Sequence, residues 1–313
     1  MDGQMPRHSS MKTRAVNAAP AMAVRPVRDT IETLANQAFS TPVRALPVPT
    51  ERRAMPSELL SERQGAVLLL TISDPATRNT LSHQVIAAGI EALNVAEADE
   101  SVRCVVLRGD AGHFCAGGNL NGLTQRRRDG PAAQAEMLDH LHQWIEAIRA
   151  HPKPVIAAVE GAAAGAGFAL ALACDLLVAA EDARFVLSHA RLGLSPDGGA
   201  TWSLARALPR ALVQQLIWLA EPVSARQLQT WGLAGWVADS GQALVQALRV
   251  AEQLSAMAPN ALASGKELVQ GAVGATLTEQ LAAEHEHFIR NLFHANGGEG
   301  LQAFLDKRAP QFR

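Results

Sequence analysis

Cysteine is scarce in this chain. Cys104, Cys115 and Cys174 are the only three in 313 residues, widely spaced and without a Cys-x-x-Cys pair. That excludes a disulfide framework and a structural zinc knuckle, and it fits a reducing compartment. Charge of one sign is equally lacking: 28 basic residues against 30 acidic leave a net charge of -2, so no global field would collect nucleic acid or an anionic membrane. Arg206, Arg210 and Arg226 form no aromatic-interleaved basic stripe, and nucleic acid is not an expected partner. No apolar run reaches the roughly 18 residues a transmembrane helix needs, so no membrane association is expected. No Gly-Lys-Ser/Thr follows a glycine loop, which argues against a phosphate loop. The two His-x-His pairs, His140/His142 and His285/His287, lie in stretches of helical period where positions two apart diverge. They are expected to be solvated helix surface, and no metal site is expected.

What the chain does have is apolar mass. Hydrophobic residues make up 48% and charged residues 19%, enough to bury a sizeable core. The leader differs from the rest: seven of the 16 prolines lie at or before Pro56, and Arg7, Lys12, Arg14, Arg25 and Arg28 are offset before position 30 only by Asp2 and Asp29. This superficially resembles an organellar transit peptide, but no apolar segment or clear amphipathic helix supports targeting. Residues 1–60 are expected to be a disordered extension, and the protein to be cytoplasmic. From Gly65 onward, Val67–Ile72 and Val102–Leu107 read as strands around a helix that Thr80 or Ser82 can cap and that runs toward Ala98. Leu138, Leu141, Ile145 and Ile148 mark a second helix, stopped by His151-Pro152-Lys153-Pro154 before a strand at Val155–Val159. Shorter strands follow at Leu176–Ala179 and Phe185–Leu187, then mostly helix through Phe304. The pattern is that of an α/β core over residues 61–255 with a helical region over 256–313.

Two segments place glycine and other small residues directly after a strand: His113-Phe114-Cys115-Ala116-Gly117-Gly118-Asn119-Leu120, and Gly161-Ala162-Ala163-Ala164-Gly165-Ala166-Gly167, which leads into a helix over Phe168–Ala173. Small residues admit a ligand carbonyl close to the backbone, and a helix start offers unpaired N–H donors. One N–H from each loop converging on one carbonyl oxygen would stabilise an enolate or tetrahedral intermediate, each donor contributing about 3 kcal/mol or more. Either loop alone is equally consistent with tight helix-on-sheet packing.

The pair of loops, 48 residues apart, resembles the enoyl-CoA hydratase/isomerase superfamily, the crotonase fold, and the likeness runs from Gly65 to Phe312. It includes Arg78-Asn79-x-Leu81, Leu192-Gly193-Leu194-Ser195-Pro196-Asp197-Gly198-Gly199, Trp231-Gly232-Leu233 and Ala303-Phe304-Leu305-Asp306-Lys307-Arg308. The resemblance implies a stacked ββα spiral, a homotrimer or dimer of trimers built on the C-terminal helices, an acyl-CoA thioester substrate and no cofactor beyond its coenzyme A moiety. It assigns the oxyanion donors to the N–H groups of Gly118 and Ala166, and coenzyme A to the region near Arg78 and the backbone of Ala116, Gly118 and Leu120. Lys307, placed in the C-terminal helix, would reach the nucleotide phosphate; an ordinary exposed charge is the alternative for both Arg78 and Lys307. Asn119 stands where the family pattern has aspartate, a change that leaves the backbone donors untouched and bears on the helix cap.

The acid and base decide the reaction. Hydratases of the family hold water between two glutamates; here those positions fall on Ala169 and His189. The carboxylate left is Asp197, the position that carries the catalytic acid residue in the isomerase branch, including the ring-opening isomerases of phenylacetate degradation. A double-bond shift needs only one base. The expected activity is thus an enoyl-CoA isomerase. An enoyl-CoA hydratase using His189 or Asp197 is the alternative, and a non-catalytic coenzyme A- or RNA-binding relative a second one. Pro-Asp-Gly is also a favoured turn, and His189 reads either as a second base, as an electrophilic partner, or as a core histidine with satisfied nitrogens. Cys115, beside the loop, has no predictable histidine partner and is not expected to be a nucleophile.

Overall fold

The structure, a computed structural model, describes residues 57–313. The expected disordered leader therefore lies outside the described residues, except at its end. Residues 58–60 belong to strand β1 (Glu58–Gln64), which pairs antiparallel with β2 (Val67–Ser73), so the boundary expected at residue 60 falls inside a strand. The strand escaped notice because an edge strand with a solvated face needs few apolar residues; Glu-Leu-Leu-Ser-Glu-Arg-Gln shows little alternation.

The main sheet has the order β1-β2-β3-β4-β6-β9, with β3 at Cys104–Gly109, β4 at Val155–Val159, β6 at Leu176–Ala180 and β9 at Trp236–Ala238. All pairs except β1/β2 are parallel. Every residue of β4 is buried, as expected of a strand covered on both faces. A second sheet joins β5 (Ala162–Ala164), β7 (Arg184–Val186) and β8 (Val223–Ser224). β5, β8 and β9 are two or three residues long, too short for a hydrophobic period to reveal.

Helix α1 (His83–Ala98) crosses from β2 to β3 and starts where the Ser82 hydroxyl accepts from Val85 N–H. Helices α2 (Leu120–Asp129) and α3 (Pro131–Ala150) join β3 to β4; α3 begins with proline in its first turn and ends at His151. Trp144 of α3 lies flat against Gly89 of α1, where an added Cβ would stand 2.2 Å from its ring. α4 (Ala166–Ala173) follows β5 and is buried along its length. Then come α5 (Ala200–Ala207), α6 (Arg210–Leu219), α7 (Ala225–Thr230), α8 (Ala243–Ser255), α9 (Pro259–Ala272), α10 (Leu277–Leu292) and α11 (Ala295–Leu305). No helix among the described residues is long and apolar enough to cross a membrane.

One helix-surface expectation needs correction. His285 is exposed, but His287 is buried between α9 and α10, with Arg290 Nη2 2.7 Å from its Nδ1 and Glu267 Oε2 3.6 Å from its Nε2. Helical period assigns a residue to a face; only the packing of α9 on α10 covers that face.

Candidate active site

The site follows from strand adjacency. β3 and β4 are parallel neighbours, so the loops after Gly109 and Val159 leave the same edge of the sheet side by side. Three backbone bonds stitch them together: Phe114 N–H to Glu160 O at 2.9 Å, Cys115 N–H to Ala162 O at 3.0 Å, and Ala164 N–H to Cys115 O at 2.9 Å. Cys115 and Ala163 thus form a parallel bridge. Gly118 and Ala166 each lie three residues beyond it, which puts them at matching positions of the two loops.

Glycine is required at this seam. Gly117 has φ 85°, and an added Cβ would meet Ala164 O at 2.5 Å and Ala166 N at 3.1 Å. Gly165, with φ 53°, turns the chain into α4. Ala166 is the first residue of that helix, so its N–H has no intrahelical acceptor. Neither Gly118 N–H nor Ala166 N–H donates in a backbone bond among the described residues. Gly118 is exposed and Ala166 is buried, 5% accessible, so one donor lies at the surface and the other beneath it.

The first loop is held from behind by Asn79. Its buried side chain donates to Asp110 O at 2.9 Å and His113 O at 2.8 Å and accepts from Asp74 N–H at 2.9 Å. Asn79 belongs to the Arg78-Asn79-x-Leu81 element, and its satisfied buried amide is visible only in three dimensions. Arg78 is exposed, and its carbonyl accepts from Ala116 N–H at 3.0 Å, while Leu81 bridges Gly118. Arg78, Ala116, Gly118 and the exposed Leu120 therefore share one loop cluster. Burial, with the Arg78 guanidinium adding to it, pushes the His113 imidazolium below its ordinary range. Asn119 caps α2, accepting from Asn121 N–H at 2.9 Å and Gly122 N–H at 3.1 Å, so asparagine serves the cap as aspartate would.

Lys307 is not in the C-terminal helix. α11 ends at Leu305, and Lys307 follows at φ 54° with its N–H on Phe304 O, an exposed residue past the helix stop. No hydrogen bond or ion pair of this chain ties its side chain to the loops among the described residues.

Asp197 and His189 are brought together. His189 sits in a 3₁₀ turn at Ser188–Leu192, is 8% accessible, and lies 3.6 Å from the Cβ direction of Gly165. Its Nε2 is 3.3 Å from Asp197 Oδ1, close but not aligned as a hydrogen bond. Asp197 Oδ1 and His189 Nδ1 are both enclosed without a hydrogen-bond partner. No described residue hydrogen-bonds to a ring nitrogen of His189. Asp197 likewise keeps a carboxylate oxygen without a hydrogen bond beside His189. The Asp197 carbonyl meanwhile accepts from Ala200 N–H at 3.2 Å across Gly198 and Gly199, at φ 58° and 74°. The turn and the side chain's placement coexist. Ala169, 1% accessible, faces this turn, its Cβ 2.9 Å from a Cβ built on Gly198. Cys115 is buried, and burial pushes its thiol up to about 12, which removes thiolate chemistry at neutral pH.

Residues 62–313 match the family model described as enoyl-CoA hydratase/isomerase. The chain is 36% identical over 257 residues to the 2,3-dehydroadipyl-CoA hydratase of Escherichia coli K12, covering 82% of this chain and 99% of that protein. It is also 36% identical over 258 residues to the 1,2-epoxyphenylacetyl-CoA isomerase of the same strain, covering 81% and 97%. A crystal structure described as an enoyl-CoA hydratase from Polaromonas sp. JS666 superposes with TM-score 0.81 at 57% identity, covering 82% of this chain and all of that one.

Proposed function

The chain belongs to the enoyl-CoA hydratase/isomerase family of acyl-CoA enzymes, and from that premise we propose that it is an isomerase moving a double bond within an enoyl-CoA thioester. The thioester oxygen accepts from Gly118 N–H and Ala166 N–H. Asp197 removes a proton from the carbon next to the carbonyl, the electron pair spreads into a dienolate held by the two amides, and the same carboxyl returns the proton two carbons away. Nothing else is consumed, and coenzyme A enters only as part of the substrate. Arg78 and the backbone at Ala116 to Leu120 hold its pantetheine and nucleotide, with Lys307 contributing from a neighbouring subunit. His189 positions the Asp197 carboxylate.

The observation that supports this reading is the enclosed Asp197 Oδ1, free of hydrogen bonds and 3.3 Å from His189 Nε2, together with Ala169 where a hydratase would need a carboxylate. A hydratase is the second reading, favoured by the His189 Nε2 to Asp197 Oδ1 approach of 3.3 Å, which offers two groups able to share a water, and by relatives described as hydratases. Incubation with 2-enoyl-CoA and 3-enoyl-CoA in deuterated water decides. Double-bond migration in which the product keeps the substrate's own hydrogen is the isomerase result; rapid 3-hydroxyacyl-CoA formation that survives Asp197→Asn rejects it.

The C-terminal helices are proposed to pack against copies of the same chain as a trimer. Phe293 and Phe304 are 82% and 83% accessible, and Leu277, Leu305, Val269 and Phe288 extend the apolar surface.

A further inference from the structure

The start of α1 meets the first turns of α3. His83 is the first residue of α1, and Glu136 and His140 lie four apart on α3, hence on one face of it. One donor atom from each of the three lies within 4.8 Å of the other two. The His83 and His140 rings meet edge to face with centroids 4.2 Å apart. The neighbours of His140 come from one turn back on its own helix and from another helix, not from the His-x-His pair it forms with His142.

None of the three side chains is engaged elsewhere. No hydrogen bond or ion pair ties them to another described residue, and His140 Nδ1 is enclosed without a partner. Convergent donors left uncommitted by the protein differ from the ordinary surface histidine, which hydrogen-bonds to its own helix or to water. Two imidazoles and one carboxylate are the ligand set that suits a divalent ion of the zinc type, with a fourth position open to water. His83 and Glu136 are exposed, so an ion has an entry path, while the more enclosed His140 anchors it. Tetrahedral ligands about 2.05 Å from zinc stand about 3.4 Å apart, so the donors need to close by roughly 1.5 Å at most, within side-chain rotation of the two exposed residues.

From this geometry we propose that His83, Glu136 and His140 bind one divalent transition-metal ion that clamps α1 to α3. The clamp acts on the fold rather than the chemistry. α1 begins two residues after Leu81, which bridges Gly118, and α3 carries Leu141 and Ile145 beneath Gly198 and Gly199.

The test titrates the metal-stripped full-length protein with Co²⁺ and with Zn²⁺. Wild type is expected to take up one Co²⁺ with the intense visible absorption of a low-coordinate nitrogen and oxygen site, and Zn²⁺ to displace it and raise the melting temperature. Loss of an outer-shell partner alone typically costs about 10–100-fold in metal affinity, so His83→Gln and Glu136→Gln should each weaken binding at least tenfold and abolish the melting shift. Both positions are exposed, and these variants are expected to fold as wild type; His142→Gln should bind as wild type. Absence of saturable binding to wild type, or binding unchanged in His83→Gln or Glu136→Gln, overturns the proposal. The readouts are spectroscopic and thermal, so they are independent of whether the enzyme is an isomerase or a hydratase.

Discussion

If the two loops owe their convergence to a glycine seam, Gly117→Ala should do damage that Gly118→Ala does not. At Gly117 the new methyl must be accommodated at φ 85°, a left-handed conformation that costs an L-residue about 1–2 kcal/mol. It also starts 2.5 Å from Ala164 O, which must retreat to 3.4 Å before the contact becomes ordinary, a movement of 0.9 Å. Overpacking of that kind costs about 1–3 kcal/mol. The sum, about 3 kcal/mol, corresponds to a fall in melting temperature of roughly 6–12 °C for a domain of this size. The same displacement carries Ala166 N, 3.1 Å from the added atom, away from its place opposite Gly118. A misplacement near 1 Å costs about 10²-fold in rate, and it should appear in kcat because the oxyanion is bound more tightly than the ground-state carbonyl. At Gly118 the added Cβ meets only Leu123 Cδ1 at 3.6 Å, an ordinary contact. Gly118→Ala is therefore expected to melt as wild type, so any loss it causes comes from the added methyl meeting the thioester and not from a shifted seam. Thermal melts and steady-state kinetics on the preferred enoyl-CoA measure both. A stable, active Gly117→Ala, or equal falls in melting temperature in the two variants, would show that the seam does not set the donor positions.

Asp197→Asn keeps the shape of the side chain and the turn bond from Ala200, so it should lower kcat by about 10²–10⁴-fold with unchanged melting; a loss under tenfold removes Asp197 as the base. Native protein at about pH 8 should resist iodoacetamide at all three cysteines, each buried with its thiol pushed upward, and label fully in guanidinium; fast labelling of Cys115 in the native state contradicts this burial. Glu299, held at about 2 by the Arg308 side chain and Gln311 N–H, has a depressed folded value, so its hold on the C-terminal segment is present above the ordinary 4.5 and lost as pH falls toward 2. The protection of Gln311 N–H, its exchange relative to the intrinsic rate at each pH, should fall across that window in wild type and be low throughout in Glu299→Gln; a constant protection in wild type refutes the assignment. Replacing both Phe293 and Phe304 with aspartate should lower the sedimenting mass to that of one chain, and an unchanged mass places self-association elsewhere.

Much of the layout was legible in the residues. Continuous apolar runs marked β2, β3, β4 and β6, because strands covered on both faces tolerate nothing else, and Ser82 and Pro152 bounded helices whose ends depend on local backbone chemistry. The small residues around Gly118 and Ala166 marked the loops, since close backbone approach excludes side chains. Tertiary structure alone decided what these pieces meet. That β3 and β4 are neighbours, that Asn79 pins the Asp110–His113 turn, that His189 lies against Gly165, and that His140 faces His83 rather than His142 are relations between segments far apart in the chain. Local periodicity records which face of an element is apolar; it does not record which element, or which solitary polar atom, will be set against that face when the chain closes on itself.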